Sequence, residues 1–270
     1  MSLKLDTLAY TNQLRGLPPE HKIIFAFTTL TISLFTHPVV QICTALWMGI
    51  WILIYAKIPV GVYLRLLLFT LVFCLTSLPA LIVNGVSIAH LHTVQLDSLY
   101  GFNLGNFYLY ISYSGSMKAW EILTRALASV SCLYFLMLTV PFPEILQTLR
   151  DWKFPALLTD LLLLMYRFIF ILLKTADELW RSQNSRGGYR NCHTSMKSLA
   201  LLIGKLLQRT LQQYSQFSLG LKTRGFAGEF RVWHPRCYRP SPRYILEAIC
   251  GCILLIGLEI CQNAGIFTRI

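Results

Sequence analysis

The sequence predicts an all-α polytopic membrane protein, with about five transmembrane helices plus a cytoplasmic module of two long amphipathic helices. Composition is the first reason. Of 270 residues, 55% are hydrophobic and 13% charged, whereas an ordinary soluble domain carries roughly a quarter charged residues; mean hydropathy is +0.54. The second is segmentation, because the apolar residues fall into separate stretches long enough to cross hydrocarbon about 30 Å thick, which takes on the order of twenty residues each. The third is the placement of charge. The 24 Lys and Arg outnumber the 12 Asp and Glu, a surplus that calls for anionic lipid, an acidic protein or nucleic acid as partner.

Spans are expected near residues 23–35, 39–56, 66–83, 119–140 and 244–261. The first is short and meets the second through Thr36-His37-Pro38, where proline cannot continue a helix and the residue before it is pushed out of the α region. Lys and Arg stay on the cytoplasmic side of short loops. Lys4, Arg15 and Lys22 therefore place the N-terminal segment inside, and Lys57 and Arg65 do the same for the second connection. No Lys or Arg occurs from Leu66 to Met117, so the Gly/Asn/Tyr-rich stretch 100–115 is expected to face outward. The chain then divides into 1–140 (N-terminal segment and four spans), 141–243 (cytoplasmic module) and 244–270 (last span).

The apolar run 155–173 presents a conflict. Were it a crossing, residues 174–243 would lie outside, with thirteen Lys and Arg against three acids. It also carries Asp160 and Arg167, each costing about 2.5–3.5 kcal/mol at a bilayer centre. Residues 155–186 are therefore expected to form one long helix at or below the inner interface. A second follows, with an apolar stripe of Leu199, Leu202, Ile203, Leu206, Leu207, Leu211, Tyr214 and Phe217 at helical spacing. Lys205, Arg209, Gln212 and Gln213 occupy its other faces, so it is amphipathic and does not span.

Both long helices stop alike, at Ser185-Arg186-Gly187 and at Thr223-Arg224-Gly225. Glycine just past a helix adopts the left-handed conformation without a Cβ penalty. The arginine before it complements the negative helix end and projects a planar fork of donors. Either end alone reads as ordinary capping; two such ends in one basic module read equally as plugs for acidic sockets.

These residues resemble the CbiQ/EcfT family, the transmembrane (T) components of energy-coupling-factor (ECF) type ABC importers. The resemblance covers nearly the whole chain. It rests on the opening residues 5–15 followed by Pro19-Glu20-His21-Lys22, and on Ser116 and Arg125-Ala126-Leu127-Ala128 leading to Thr139-Val140-Pro141. Leu164-Met165-Tyr166-Arg167-Phe168-Ile169-Phe170 and the two X-Arg-X signatures complete it. The resemblance implies a cytoplasmic coupling module joining two ATP-binding cassette ATPase subunits to a separate substrate-binding membrane subunit. It implies that Arg186 and Arg224, flanked by Ser185, Gly187, Thr223 and Gly225, dock in grooves of the ATPases, and that the cargo is cobalt, nickel or a vitamin. Small residues are common ahead of the signature arginine in that family, and Thr223 is bulkier.

Nothing in the sequence reads as catalytic. No phosphate-binding loop of the form G-x-x-x-x-G-K-S/T occurs, so ATP binding is left to partners. No cofactor or resident metal is expected. His90 and His92 near Asp97 form an H-x-H pair, read as ordinary solvated loop residues. Asp160 and Arg167 are read as a polar contact inside the module. The stretch 231–243, with Trp233 and Tyr238, lies before a span, where aromatic and basic residues anchor to the interface and need no nucleic acid. Cys43, Cys74, Cys132, Cys250, Cys252 and Cys261 lie in apolar stretches with no C-x-x-C pair, and are read as small hydrophobes. The polar opening segment shows no cleavable signal. Two other classes compete: a membrane-anchored assembly scaffold without transport activity, and a channel or carrier, which would put charged or broken helices at the midplane.

Overall fold

The structure is a computed structural model and describes residues 2–87, 98–104, 107–225, 238 and 240–263. In chain order the helices are α1 (Ser2–Thr11), α2 (Pro19–Phe35), α3 (Pro38–Ile50, continued by a π turn Trp51–Tyr55), α4 (Val60–Ile82), α5 (Tyr113–Thr139), α6 (Phe142–Asp151), α7 (Ala156–Ser185), α8 (Cys192–Thr223) and α9 (Pro242–Asn263). The chain separates into two compact units, one formed by Met1–Ile145 with Arg236–Ile270 and the other by Leu146–Pro235.

Five helices are long and apolar enough to cross a membrane by length and composition: Pro38–Tyr55, Val60–Ala80, Gly115–Thr139, Ala156–Ser185 and Pro242–Gln262. The helical, multi-pass membrane class therefore holds. The set differs at two places from the expected spans. The 17 residues of α2 rise only about 26 Å, so α2 crosses only where the bilayer thins or flanking residues snorkel. Length and composition also admit α7, which the charge pattern assigns to the cytoplasmic module. A small antiparallel sheet adds to the helices: β1 (Val83–Ser87), β2 (Ser98–Leu104) and β3 (Phe107–Ser112), in the order β1-β3-β2 with Val83 opposite Ile111 and Leu104 opposite Phe107. It occupies part of the stretch expected to face outward.

The first unit is organised around a cluster of Phe25, Met48, Trp51, Ile52, Phe135 and Leu138 from α2, α3 and α5. Phe25 stands 5.0 Å from Trp51 and edge-on to Phe135 at 5.5 Å, separations at which aromatic pairs gain about 0.5–1.5 kcal/mol beyond burial. Helix α9 joins by close approach. A Cβ at Gly251 would lie 1.9 Å from the Trp47 ring, so glycine is what lets α9 lie against α3. The Gln41 amide inside this apolar unit is matched at both ends: it donates to the Thr36 carbonyl at 2.7 Å and accepts from the Thr124 hydroxyl at 2.7 Å.

The contacts sort the helix ends onto two sides. On one, Asn12 donates to the carbonyls of Leu138 and Thr139 (both 3.2 Å), and the Lys22 ammonium to that of Thr139 (3.4 Å). Gln13 N–H donates to the Ala56 carbonyl (3.4 Å), and Tyr244 meets Trp51 and Tyr55. On the other, the His37 turn meets Glu259, at 2.6 Å from the ring and 3.0 Å from the backbone N–H. Lys22, Lys57 and Arg243 thus share a side. Asn12 and Lys22 satisfy carbonyls that the last turn of α5 leaves without partners, and a cation there suits the negative helix end. Burial pushes the Lys22 ammonium down to about 8, with Glu144 opposing the shift.

The second unit is an antiparallel pair of long helices. Phe168 meets Phe217 (6.1 Å), Glu178 meets Arg209 (3.4 Å) and Gln183 donates to the Ser198 carbonyl (3.1 Å). Each step forward along α7 is thus a step back along α8. Helix α8 has no buried residue. Its apolar stripe splits in two, with Leu202, Leu206 and Phe217 partly covered and Ile203, Leu207, Leu211 and Tyr214 each at least 57% exposed.

Candidate functional site

The two arginine-tipped ends are built from the same local geometry. Helix α7 ends with Arg186 at φ −90°, ψ 8° followed by Gly187 at φ +72°. Helix α8 ends with Arg224 at φ −92°, ψ 10° followed by Gly225 at φ +66°. In each, the glycine N–H donates back to the second-last helical carbonyl, Gly187 to Asn184 at 3.0 Å and Gly225 to Lys222 at 3.2 Å. At the first end Gly188 N–H also reaches the Gln183 carbonyl at 2.9 Å, completing the paired bonds by which a left-handed glycine closes a helix. The flanking hydroxyls repeat the match, since Ser185 donates to the Ser182 carbonyl and Thr223 to that of Gly220, at 2.9 and 3.1 Å. Thr223 therefore occupies the role of Ser185 with one more methyl group.

Both guanidiniums are exposed, and among the described residues neither has an ion-pair partner. Arginines on the bodies of the same helices differ: Arg181 pairs with Asp177 at 2.8 Å and Arg209 with Glu178 at 3.4 Å. Between Glu178 and Glu229 the sequence holds eight Lys and Arg and no acid. An antiparallel pair puts the C-terminus of α7 at one end and that of α8 at the other. With 32 residues in α8, the two tips stand about 48 Å apart along it.

The turn holding Arg186 is cross-linked. Ser198 donates to the Gly188 carbonyl (2.8 Å), Tyr189 to Gln183 Oε1 (2.8 Å), and Trp180 lies 6.2 Å from Tyr189. Asn191 caps α8 with its side chain while its own N–H donates to Thr194 Oγ1 at 3.1 Å, a reciprocal cap that fixes where the helix begins.

Other residues singled out in the sequence sort as follows. Asp160 faces Arg150 at 3.9 Å, and the Arg167 guanidinium lies over the Phe217 ring at 5.5 Å, so each makes its contact inside the second unit with a different partner. His90, His92, Asp97 and Trp233 lie outside the described residues. Among the described residues no three His, Cys, Asp or Glu group to hold a metal ion. Sequence reasoning missed the roles of Asn12 and Lys22, whose acceptor on Thr139 is more than a hundred positions away. Both lie in stretches quoted above for the family resemblance, and folding brings those stretches to one place.

The model of the CbiQ family, described as a cobalt transport protein, matches residues 11–233. The chain belongs to the CbiQ family. Among its relatives, the cobalt transport protein CbiQ of Salmonella typhimurium is 26% identical over 84% of this chain and 99% of its own length. An uncharacterized protein of Methanocaldococcus jannaschii is 30% identical over 94% of this chain and 91% of its own length. A Methanocorpusculum labreanum protein bearing the name fused cobalt transport protein CbiMQ is 28% identical over 83% of this chain and 36% of its own length. The family match contains both arginine ends.

Proposed function

We propose that this CbiQ-family chain is the transmembrane coupling subunit of an ECF-type ABC importer in the cell inner (plasma) membrane. It joins two ATP-binding cassette ATPase subunits in the cytosol to a separate substrate-binding membrane subunit. Cobalt is the first choice of cargo, on the names of the relatives, with nickel or a vitamin next. The chain has no catalytic role, and ATP is hydrolysed by the partners.

The observation that carries this reading is the duplicated arginine cap. Two exposed guanidiniums in matching backbone settings, at opposite ends of one helix pair, fit two copies of one acidic socket. An arginine fork that pairs bidentately with a partly desolvated carboxylate is stronger than an exposed ion pair. The helix pair acts as a rod about 48 Å long, so nucleotide-driven movement of the sockets is delivered to its body. There the uncovered strip of Ile203, Leu207, Leu211 and Tyr214 offers a contact for the membrane partner. Cytosolic placement is supported by Lys22, Lys57 and Arg243 sharing one side of the first unit.

The test is co-purification of the ATPase subunits with Arg186→Glu, Arg224→Glu and the double variant, alongside uptake. Reversing a charge that pairs across a buried contact costs about 2–5 kcal/mol, roughly 30-fold or more in affinity. The double variant is expected to insert normally, lose the ATPases and lose uptake. Normal amounts of bound ATPase would refute the docking role, and wild-type uptake in a strain lacking this chain would favour a scaffold without transport activity.

A further inference from the structure

At the first tip a second arginine lies against the capping glycine. A Cβ built on Gly187 would meet Arg190 Nε at 3.2 Å, Cδ at 3.5 Å and Cζ at 3.7 Å. The Arg190 side chain is therefore folded across Gly187, the residue that follows Arg186. Arg190 is exposed, its backbone N–H is tied to the Gly187 carbonyl at 3.4 Å, and among the described residues its guanidinium has no acidic partner. The turn beneath it is held by the Gln183, Ser198 and Tyr189 bonds described above, so both guanidiniums ride on one fixed block. Two like charges carried on one short turn repel and gain from a shared counter-charge. No acid lies between Glu178 and Glu229 to supply it within this stretch.

We infer that the first tip is a two-arginine docking surface, in which Arg190 acts with Arg186, and that its socket is an acidic protein groove presenting two carboxylates. Glycine at 187 has two duties there: it takes the left-handed φ and leaves the space over which Arg190 lies. The second tip offers Arg224 with Lys222 in the last turn of α8.

This inference rests on the docking reading, and the experiment separates the two. The full-length chain is assembled with its ATPase subunits, and the affinity of Arg190→Glu, Arg190→Met and Arg190→Lys is compared with that of Arg186→Glu. Methionine keeps an apolar stem over Gly187 without the charge, and lysine keeps the charge without the fork. The expectation is a loss of about tenfold for Arg190→Met, more for Arg190→Glu, partial retention for Arg190→Lys, and a shallower salt dependence of binding in the methionine variant. Wild-type affinity in Arg190→Glu while Arg186→Glu loses binding overturns the inference and leaves the docking reading standing. If Arg190→Met binds normally and only Arg190→Glu is weak, the site is a single-arginine one that tolerates no acid nearby, and the inference is again overturned. Unchanged binding in both Arg186→Glu and Arg224→Glu is instead a failure of the docking reading itself.

Discussion

Replacing Gly188 with alanine tests whether the shape of the first tip matters apart from its charge. Gly188 has no positive φ, so alanine meets no backbone penalty there; the obstacle is space. The new Cβ would lie 2.7 Å from Ser198 Oγ and 2.9 Å from the Gln183 carbonyl oxygen. Relieving both contacts means disturbing the Ser198 to Gly188 hydrogen bond and stretching the Gly188 to Gln183 bond that closes α7. One net hydrogen bond is worth about 1 kcal/mol and an overpacked contact costs about 1–3 kcal/mol, giving roughly 2–4 kcal/mol against the native turn. At 1.4 kcal/mol per decade that is on the order of 30- to 700-fold in the turn's own equilibrium, and apparent affinity falls as the competent turn becomes scarce. The assay pairs ATPase binding with hydrogen exchange over residues 183–199. Gly188→Ala is expected to raise exchange there and weaken binding; Ser198→Ala in addition, by removing the nearer obstacle, restores part of both. The control is Gly204→Ala, mid-helix with nothing within 4 Å, expected to be neutral or stabilising by up to about 1 kcal/mol. Wild-type binding and protection in Gly188→Ala would refute the claim that a fixed turn aims Arg186.

Other consequences concern the membrane unit. Asn12→Leu strips a donor from the carbonyls of Leu138 and Thr139 and should lower stability by about 1–3 kcal/mol, read as thermal unfolding in detergent; an unchanged midpoint contradicts the capping role. Gly251→Val drives a side chain into the Trp47 ring and should destabilise by at least the 1–3 kcal/mol or so of overpacking, with Trp47→Leu partly relieving it; additive effects of the two changes contradict the contact. Lys22 titrates near 8 when folded against 10.5 for the ordinary group, so its charge opposes folding below about pH 8 and ceases to as pH rises from 8 towards 10.5. Wild type should therefore gain midpoint relative to Lys22→Met across that window; a constant difference would show that Lys22 is not desolvated.

What the sequence made legible followed from local physics. Hydropathy placed α3, α4, α5 and α9 because each must bury its backbone groups over a bilayer's thickness, and Pro38 and Gly187 marked boundaries because their backbone preferences act on the spot. The signals diverge at α7, whose 30 residues are long and apolar enough to span while the charge pattern assigns them to the cytoplasmic side, and at α2, whose 17 residues are short for the span that hydropathy predicts. The β1–β3 sheet went unread although Phe107-Tyr108-Leu109-Tyr110-Ile111 is rich in strand formers, since composition alone was weighed there. Asn12 gave no signal of its capping role, because its acceptors arrive from α5 only on folding. Arg190 was missed for a related reason: its relation to Arg186 depends on the path of a four-residue turn, which residue types alone do not fix.

Cys192, exposed at the start of α8 beside the Arg186 tip, allows the central claim to be tested without altering the chain. Cells are treated with a membrane-impermeant maleimide, intact or permeabilised, and the Cys192 peptide is analysed by mass spectrometry. Modification only after permeabilisation is the predicted result, because the arginine tips must share a compartment with the ATPases. Modification of Cys192 in intact cells would put the helix pair outside and contradict the coupling role.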